Sequence, residues 1–257
     1  MLQGFTPPFT PRGLAALVAP PPWHYAGWVV SVEVDCDRGC ATPFVPAMLG
    51  VPSGRATVHF AEWQATTDGS ELLDPICSQY HETIVVVEIE RPDRTLASFC
   101  PFIYVDQDIS FLRGLLQGWP KKMGSTHVTR ALPLEHPAAA PLRRGTRLGA
   151  SLAVKDRRLL EARLELTGRP GVALGFLAAP PIGTIGWPDL ERPGSPPVLR
   201  HVRSAIAGRV GDAWHEATAE LTVLPSPREE LADLGLGAAR RASAGWVGIT
   251  ITGAVGV

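Results

Sequence analysis

The chain has 257 residues, long enough for one large domain. Apolar residues make up 45% and charged residues 19%, which supports a sizeable core and excludes global disorder. A formal net charge of −1 argues against a nucleic-acid surface or a polybasic membrane anchor, and no apolar run reaches the length of a membrane span.

Residues 1–23 are rich in proline (Pro7-Pro8, Pro11, Pro20-Pro21-Pro22) and read as an arm wrapping the surface, with a short helical turn at Arg12–Val18. Met1-Leu2-Gln3-Gly4-Phe5 is not a basic segment followed by an apolar one, so a cytoplasmic location is expected. Trp28–Val34, Ala56–Ala65, Tyr80–Ile89 and Leu96–Val105 are β-branched or alternating and read as strands. Turns are expected at Asp35–Gly39, Thr66–Ser70 and Pro92-Asp93-Arg94. Asp108–Gln117 carries Ile109, Leu112, Leu115 and Leu116 at helical spacing, with Asp108 or Ser110 as cap and Gly118 as terminator. Strands follow at His127–Leu132, Thr146–Val154 and Leu159–Leu166, the last two joined by a turn at Lys155–Arg158. Residues 168–198 are rich in Pro and Gly, with a short strand at Ala173–Ala178 ahead of Pro180-Pro181 and a turn at Pro193–Pro197. Leu199–Gly208, Trp214–Val223 and Arg240–Ile251 complete the strands, with a helical turn within Leu224–Leu236. About ten or more short strands, few helices and many turns predict a β barrel or sandwich in a single domain, 1–257.

One stretch departs from the rest of the composition. Only three of the 24 basic residues are lysines, and two of them, Lys121 and Lys122, sit side by side in Gly118-Trp119-Pro120-Lys121-Lys122-Met123-Gly124. A guanidinium stays protonated and forms no imine, whereas a lysine does once its amine is neutral. The pair therefore reads as a candidate Schiff-base site, with a solvated pair on a loop or strand edge as the alternative. A free lysine titrates at about pH 10.4, so chemistry at neutral pH requires its cation to be disfavoured by roughly 4 kcal/mol. Cys36, Cys40, Cys77 and Cys100 lack the spacing of a zinc site, and neither a metal nor a cofactor is expected.

Trp119-Pro120-Lys121-Lys122-Met123-Gly124 resembles the aromatic-Pro-Lys-Lys-Leu-Gly segment of acetoacetate decarboxylases. Phe9–Gly13, Phe44–Leu49, Tyr80-His81-Glu82, Trp214–Ala217, Asp233-Leu234 and the strand at Trp246 resemble further segments of that family in order along the chain. The resemblance implies a large antiparallel, cone-shaped β barrel enclosing a cavity, assembled as a homo-oligomer. It implies Lys121 as the nucleophile, Lys122 as its neighbour and Glu82 as an active-site carboxylate. Tyr80 shares a strand face with Glu82, His81 points away, and Gln117 precedes the lysine segment as a candidate donor.

The sequence also departs from the family. The arginine expected before the first strand is absent from His24-Tyr25-Ala26-Gly27-Trp28. A second glutamate falls at or near Ala61, with Glu62 shifted by one. Arg113-Gly114-Leu115 lacks the glutamate of the family's Gly-Arg-Glu. The polar set for acetoacetate is thus incomplete, and His24 and Arg113 are candidates to bind a substrate carboxylate instead. The expected activity is an imine/enamine lyase condensing a 2-oxo acid such as pyruvate with an aldehyde, followed by dehydration. A β-keto acid decarboxylase and a non-catalytic carbonyl-binding protein are the alternatives.

Overall fold

The computed structural model describes residues 1–179, 181–211 and 213–257; Pro180, expected to follow a short strand, lies outside them. Twelve strands form one sheet. They are β1 (Trp23–Cys36), β2 (Val51–Thr66), β3 (Gln79–Glu90), β4 (Leu96–Val105), β5 (Lys121–Met123) and β6 (Ser125–Val128). After them come β7 (Arg147–Val154), β8 (Arg157–Pro170), β9 (Pro181–Ile185), β10 (Arg200–Val210), β11 (Trp214–Val223) and β12 (Leu236–Gly256). Two one-turn helices, α1 (Arg38–Ala41) and α2 (Pro75–Ser78), precede α3 (Asp108–Leu116). No helix among the described residues is long and apolar enough to cross a membrane.

The strand order β1-β2-β3-β4-β9-β10-β12 closes on itself, because β12 also pairs with β1. The other strands extend from this ring as β12-β11-β8-β7-β6. β12 makes both arrangements possible by its length: residues 236–251 face β1, while along its other edge 242–245 pair with β11 and 248–256 with β10. Pairing is antiparallel except around β4, which runs parallel to β5 and to β9.

Alternation along the ring strands feeds two cores. Trp23, Tyr25 and Val29 of β1 join Ala61, Trp63, Tyr80, Ile84, Ile103, Ile249 and Ile251 inside the ring. Trp28, Val30, Val32 and Val34 face the other way, into a core shared with Leu152, Leu160 and Leu164 of β7 and β8. Burial on both faces explains why β1 reads as a nearly continuous apolar run.

Several expectations are corrected. The helical turn at Arg12–Val18 is a series of non-helical turns, closed within the arm by Val18 N–H donating to Thr6 Oγ1 at 2.9 Å, with Val18 buried against the barrel core. The arm ends one residue early, since Trp23 already belongs to β1. The α3 cap is the side chain of Gln107, which accepts from Ser110 N–H, so neither Asp108 nor Ser110 serves. The strand expected at 127–132 spans Ser125–Val128, and the one expected at Ala173–Ala178 is a 3-10 turn, Gly175–Leu177. Gly175 has φ 52°, a conformation that interrupts a strand. β5 was missed because a three-residue strand carries no periodicity.

The β7–β8 turn is tighter than the sequence suggests: only Lys155 and Asp156 lie outside the strands, with φ of 50° and 62°. Left-handed backbone costs an L residue about 1–2 kcal/mol, less for Asp or Asn and nothing for Gly. Lys155→Asn/Asp156→Gly is therefore expected to stabilise the fold by about 1 kcal/mol. A urea midpoint at or below that of the wild type would refute this.

Candidate active site

α3 presents an unexpected face to the barrel. Its apolar stripe only half-buries, whereas Ser110, Arg113 and Gly114 are its buried residues, and Gln117 follows at the cap, also buried. Spaced i, i+3, i+4 and i+7, these four form one helical face. Gly118 has φ 83° and ends the helix, and β5 then returns beside β4, with Lys121 opposite Ile103.

Extended backbone at β5 splits the lysine pair. The Lys121 side chain enters the ring and is 7% exposed. Its hydrocarbon stem runs so close to Gly114 that a Cβ there would lie 2.3 Å from Cδ and Cε. Nζ donates to Ser110 Oγ at 2.9 Å and sits 2.6 Å from Glu82 Oε1, which has no other partner among the described residues. Glu82 Oε2 accepts from Trp63 Nε1 at 2.9 Å, which fixes the carboxylate. Lys121 Nζ also lies 5.4 Å from the centre of the Tyr80 ring.

A cavity of about 40 Å³ adjoins this pair, lined by Tyr25, Trp63, Tyr80, Glu82, Gln117, Lys121, Trp119 and Phe176 among others. Burial lowers the Lys121 pKa, and the nearby Arg113 charge adds to this, while Glu82 opposes both. Burial holds the Tyr80 hydroxyl well above its ordinary range, and the Glu82 charge reinforces it. Burial likewise raises Tyr25, so both phenols stay protonated and serve as donors.

Arg113 is a second buried cation. Its guanidinium carbon lies 5.8 Å from the Trp23 ring centre and 5.7 Å from that of Tyr25. Among the described residues it has no carboxylate partner, and its Nε has no hydrogen-bond partner. Gln117 Nε2 donates to the Arg113 carbonyl at 3.0 Å, and its Oε1 is unpartnered.

Lys121, Glu82, Tyr80 and Gln117 thus meet at the cavity, with Arg113 beside them. Lys122 and His24 do not. Lys122 is 48% exposed and its Nζ binds Glu229 Oε1 at 2.5 Å, pinning β5 to the 224–235 segment from outside the barrel. His24 is exposed and bonds Thr250 Oγ1, because Trp23 and Tyr25 take the inward positions of β1. His81 points outward to Asp106 at 2.8 Å, as alternation requires. Ala61 is buried directly opposite Glu82, while Glu62 faces out to Arg130, so Glu82 is the cavity's carboxylate. Ser110 and Gly114 were missed as site residues; their spacing with Arg113 and Gln117 was the available signal. Tyr25, Trp63 and Phe176 come from distant segments and carried none, whereas Trp119 belongs to the lysine motif itself. Among the described residues no His, Cys, Asp or Glu cluster is arranged to hold a metal.

A closed ring of strands with a lysine–carboxylate pair buried inside defines a β-barrel enzyme fold. A model of the acetoacetate decarboxylase family matches residues 5–256, and the chain belongs to that family. It is similar to the enduracididine biosynthesis enzyme MppR, solved with the condensation product of pyruvate and imidazole 4-carboxaldehyde (TM-score 0.91, 28% identity, covering 100% of this chain and 97% of that one). An MppR complex with pyruvate gives a TM-score of 0.90 at 28% identity, covering 100% and 98%. An acetoacetate decarboxylase-like enzyme from Sphingomonas wittichii RW1, at 24% identity, covers 99% of this chain and 100% of its own with a TM-score of 0.89, and so shares the fold. No curated protein matches the sequence.

The buried pair makes a stability prediction. Lys121→Met leaves the Glu82 carboxylate without its cation and should destabilise the fold by about 3–5 kcal/mol. Lys121→Met/Glu82→Gln, which removes both charges, should recover most of that loss. Equal denaturation midpoints for the single and double variants would show that the pair is not coupled.

Proposed function

We propose that the protein is an imine-forming lyase that condenses a small 2-oxo acid, such as pyruvate, with an aldehyde and dehydrates the adduct. The observation that carries the oxo acid is the cation count. Lys121 is matched by Glu82, whereas Arg113 is buried without a carboxylate partner among the described residues. A buried unpaired cation is costly unless an anion joins it. A substrate carboxylate at Arg113 places the adjoining carbonyl near Lys121. Arginine suits this role, because its planar fork matches a carboxylate and keeps its charge.

The chemistry follows from the groups present. Neutral Lys121 adds to the oxo carbon, and the carbinolamine takes up one proton from solvent and loses water to give an iminium. The iminium withdraws electrons from the neighbouring carbon, whose proton passes to Glu82, leaving an enamine. The enamine carbon attacks the aldehyde, and the resulting alkoxide takes the proton that Glu82 holds. Loss of the β-hydroxyl as water and hydrolysis of the imine release the unsaturated 2-oxo acid and regenerate Lys121. The same iminium would serve decarboxylation of a β-keto acid. The similarity to a protein solved with a pyruvate–aldehyde condensation product favours condensation, as does the loss of a second carboxylate at Ala61.

Borohydride trapping read by intact mass tests the first steps. A pyruvate adduct is expected in the wild type and in Lys122→Arg, and none in Lys121→Arg. Arg113→Met should raise the pyruvate concentration needed for half-trapping by about 10- to 100-fold, the worth of a charged hydrogen bond. Adducts forming without Lys121 would sink the proposal, and rapid CO₂ release from acetoacetate would favour decarboxylation.

The pH dependence has a defined sign. Trapping needs the neutral amine, so its rate rises through the Lys121 pKa. Glu82→Gln removes the charge that opposes the lowering and should move this rise to lower pH. Arg113→Met removes a lowering charge and should move it to higher pH. Shifts in the same direction for both variants would contradict this electrostatic account.

A further inference from the structure

The ring interior continues past the Lys121 cavity, and its polar residues there have no task in the reaction so far. Ser31 of β1 stands opposite Ser243 of β12 and opposite His59 of β2. By alternation these residues share the inward face of Val29, Ala61 and Val247. His59 is 0% exposed, and its Nδ1 is 2.8 Å from Ser31 Oγ. Its Nε2 has no partner among the described residues, and neither do Ser243 Oγ and Trp214 Nε1. Unpartnered buried polar atoms are uncommon in native proteins, and each costs about 1–3 kcal/mol. Three on one inward face point to a ligand that hydrogen-bonds.

One side chain divides this region from the cavity. Phe176 lines the cavity, and its ring lies 4.7 Å from His59 and 5.7 Å from Trp119, both edge-on. Apart from Trp119 and Gln117 in the α3–β5 connection, the aromatic and polar cavity residues named above are on strands. Phe176 sits instead on the three-residue turn Gly175–Leu177. Gly175 has φ 52°, and a Cβ on it would lie 2.4 Å from His59 Nε2, so the imidazole edge abuts this turn. At about 40 Å³ the cavity is small for an oxo acid imine together with a ring-bearing aldehyde. The Phe176 ring stands between this cavity and the His59 imidazole.

The Ser31–His59 contact also fixes what His59 offers. If Ser31 donates to Nδ1, the only unpartnered group is the Nε2 proton. The opposite arrangement strands both the Ser31 proton and the Nε2 lone pair, so the first is favoured. Burial lowers the His59 pKa to about 3, which keeps the ring neutral.

We infer that the region behind Phe176 is the subsite for the aldehyde partner, where His59 Nε2–H donates to an acceptor atom on the aldehyde's substituent. The preferred aldehyde then carries a hydrogen-bond acceptor, such as a ring nitrogen, at the end remote from its carbonyl. This inference rests on the condensation reading above.

The test compares pyridine-3-carboxaldehyde with benzaldehyde, rings of nearly equal shape that differ by one acceptor nitrogen. For condensation with pyruvate, the ratio of their kcat/KM values in the wild type is divided by the ratio in His59→Leu, which cancels intrinsic reactivity. The quotient is expected to be about 10 or more, with pyruvate trapping unchanged and the pyridine preference restored by His59→Gln. Ser31→Ala, which frees the imidazole to take the other tautomer, should weaken the preference without abolishing activity. A quotient near 1, or equal losses for both aldehydes, would overturn the subsite. Binding of 3-methylpyridine and toluene, followed by tryptophan fluorescence, needs no turnover. If the wild type traps pyruvate but condenses neither aldehyde, the condensation reading fails by itself. The subsite is then judged by whether His59→Leu removes a binding preference for 3-methylpyridine, and it falls if the wild type has none.

Discussion

Two cations buried in one apolar ring, with one carboxylate between them, set the terms for this protein. Lys121 and Arg113 both lose hydration on entering the barrel, and Glu82 neutralises only Lys121. The arrangement disfavours the lysine cation and holds a positive charge ready for an anion. Both consequences come from low dielectric and limited compensation, not from any single strong bond. Trp63 Nε1 on Glu82 and Ser110 Oγ on Lys121 then hold the pair in register.

The fold brings this about by giving each strand two buried faces. A sheet that closes into a ring and also carries a second layer must bury alternate residues on opposite sides. Polar residues among the inward set are therefore confined to the cavity or must pair with each other. Glu82 lines the cavity and Ser31 pairs with His59, whereas Ser243 Oγ is left without a partner among the described residues. α3 follows a different logic. It turns a polar face inward because Gly114 makes room for the Lys121 stem and Arg113 stacks between two aromatic rings.

The two lysines show how a short segment divides labour. Lys122 is pinned by Glu229 on the outside, and Glu229 also accepts from the Tyr104 hydroxyl at 3.0 Å. Anchoring one residue of a three-residue strand fixes the orientation of its neighbour, so the outer ion pair supports the inner one. Lys122 is half open to solvent while the Glu229 side chain is nearly buried, and the value of the pair lies in this geometry.

Much of this was legible in the sequence. β4 and β11 have the bounds expected for them, because a hairpin turn and an alternating pattern are local signals. The lysine pair stood out because lysine is scarce here, while the choice of Lys121 and of Glu82 came from the resemblance, with Tyr80 on the strand face of Glu82. A β barrel or sandwich was legible from the number and length of the strands, and the resemblance implied the barrel. Local patterns could not tell which way β1 faces, and that decides between His24 outside and Tyr25 inside. Nor could they show Ser110 beneath an ammonium, since a serine near a helix start reads equally well as a cap. Closure of β12 on β1, the union of Trp63, Trp119 and Phe176 around one cavity, and the orphaned edge of His59 join residues far apart in the chain. Such contacts are fixed by ring closure and side-chain packing, which only the tertiary structure decides.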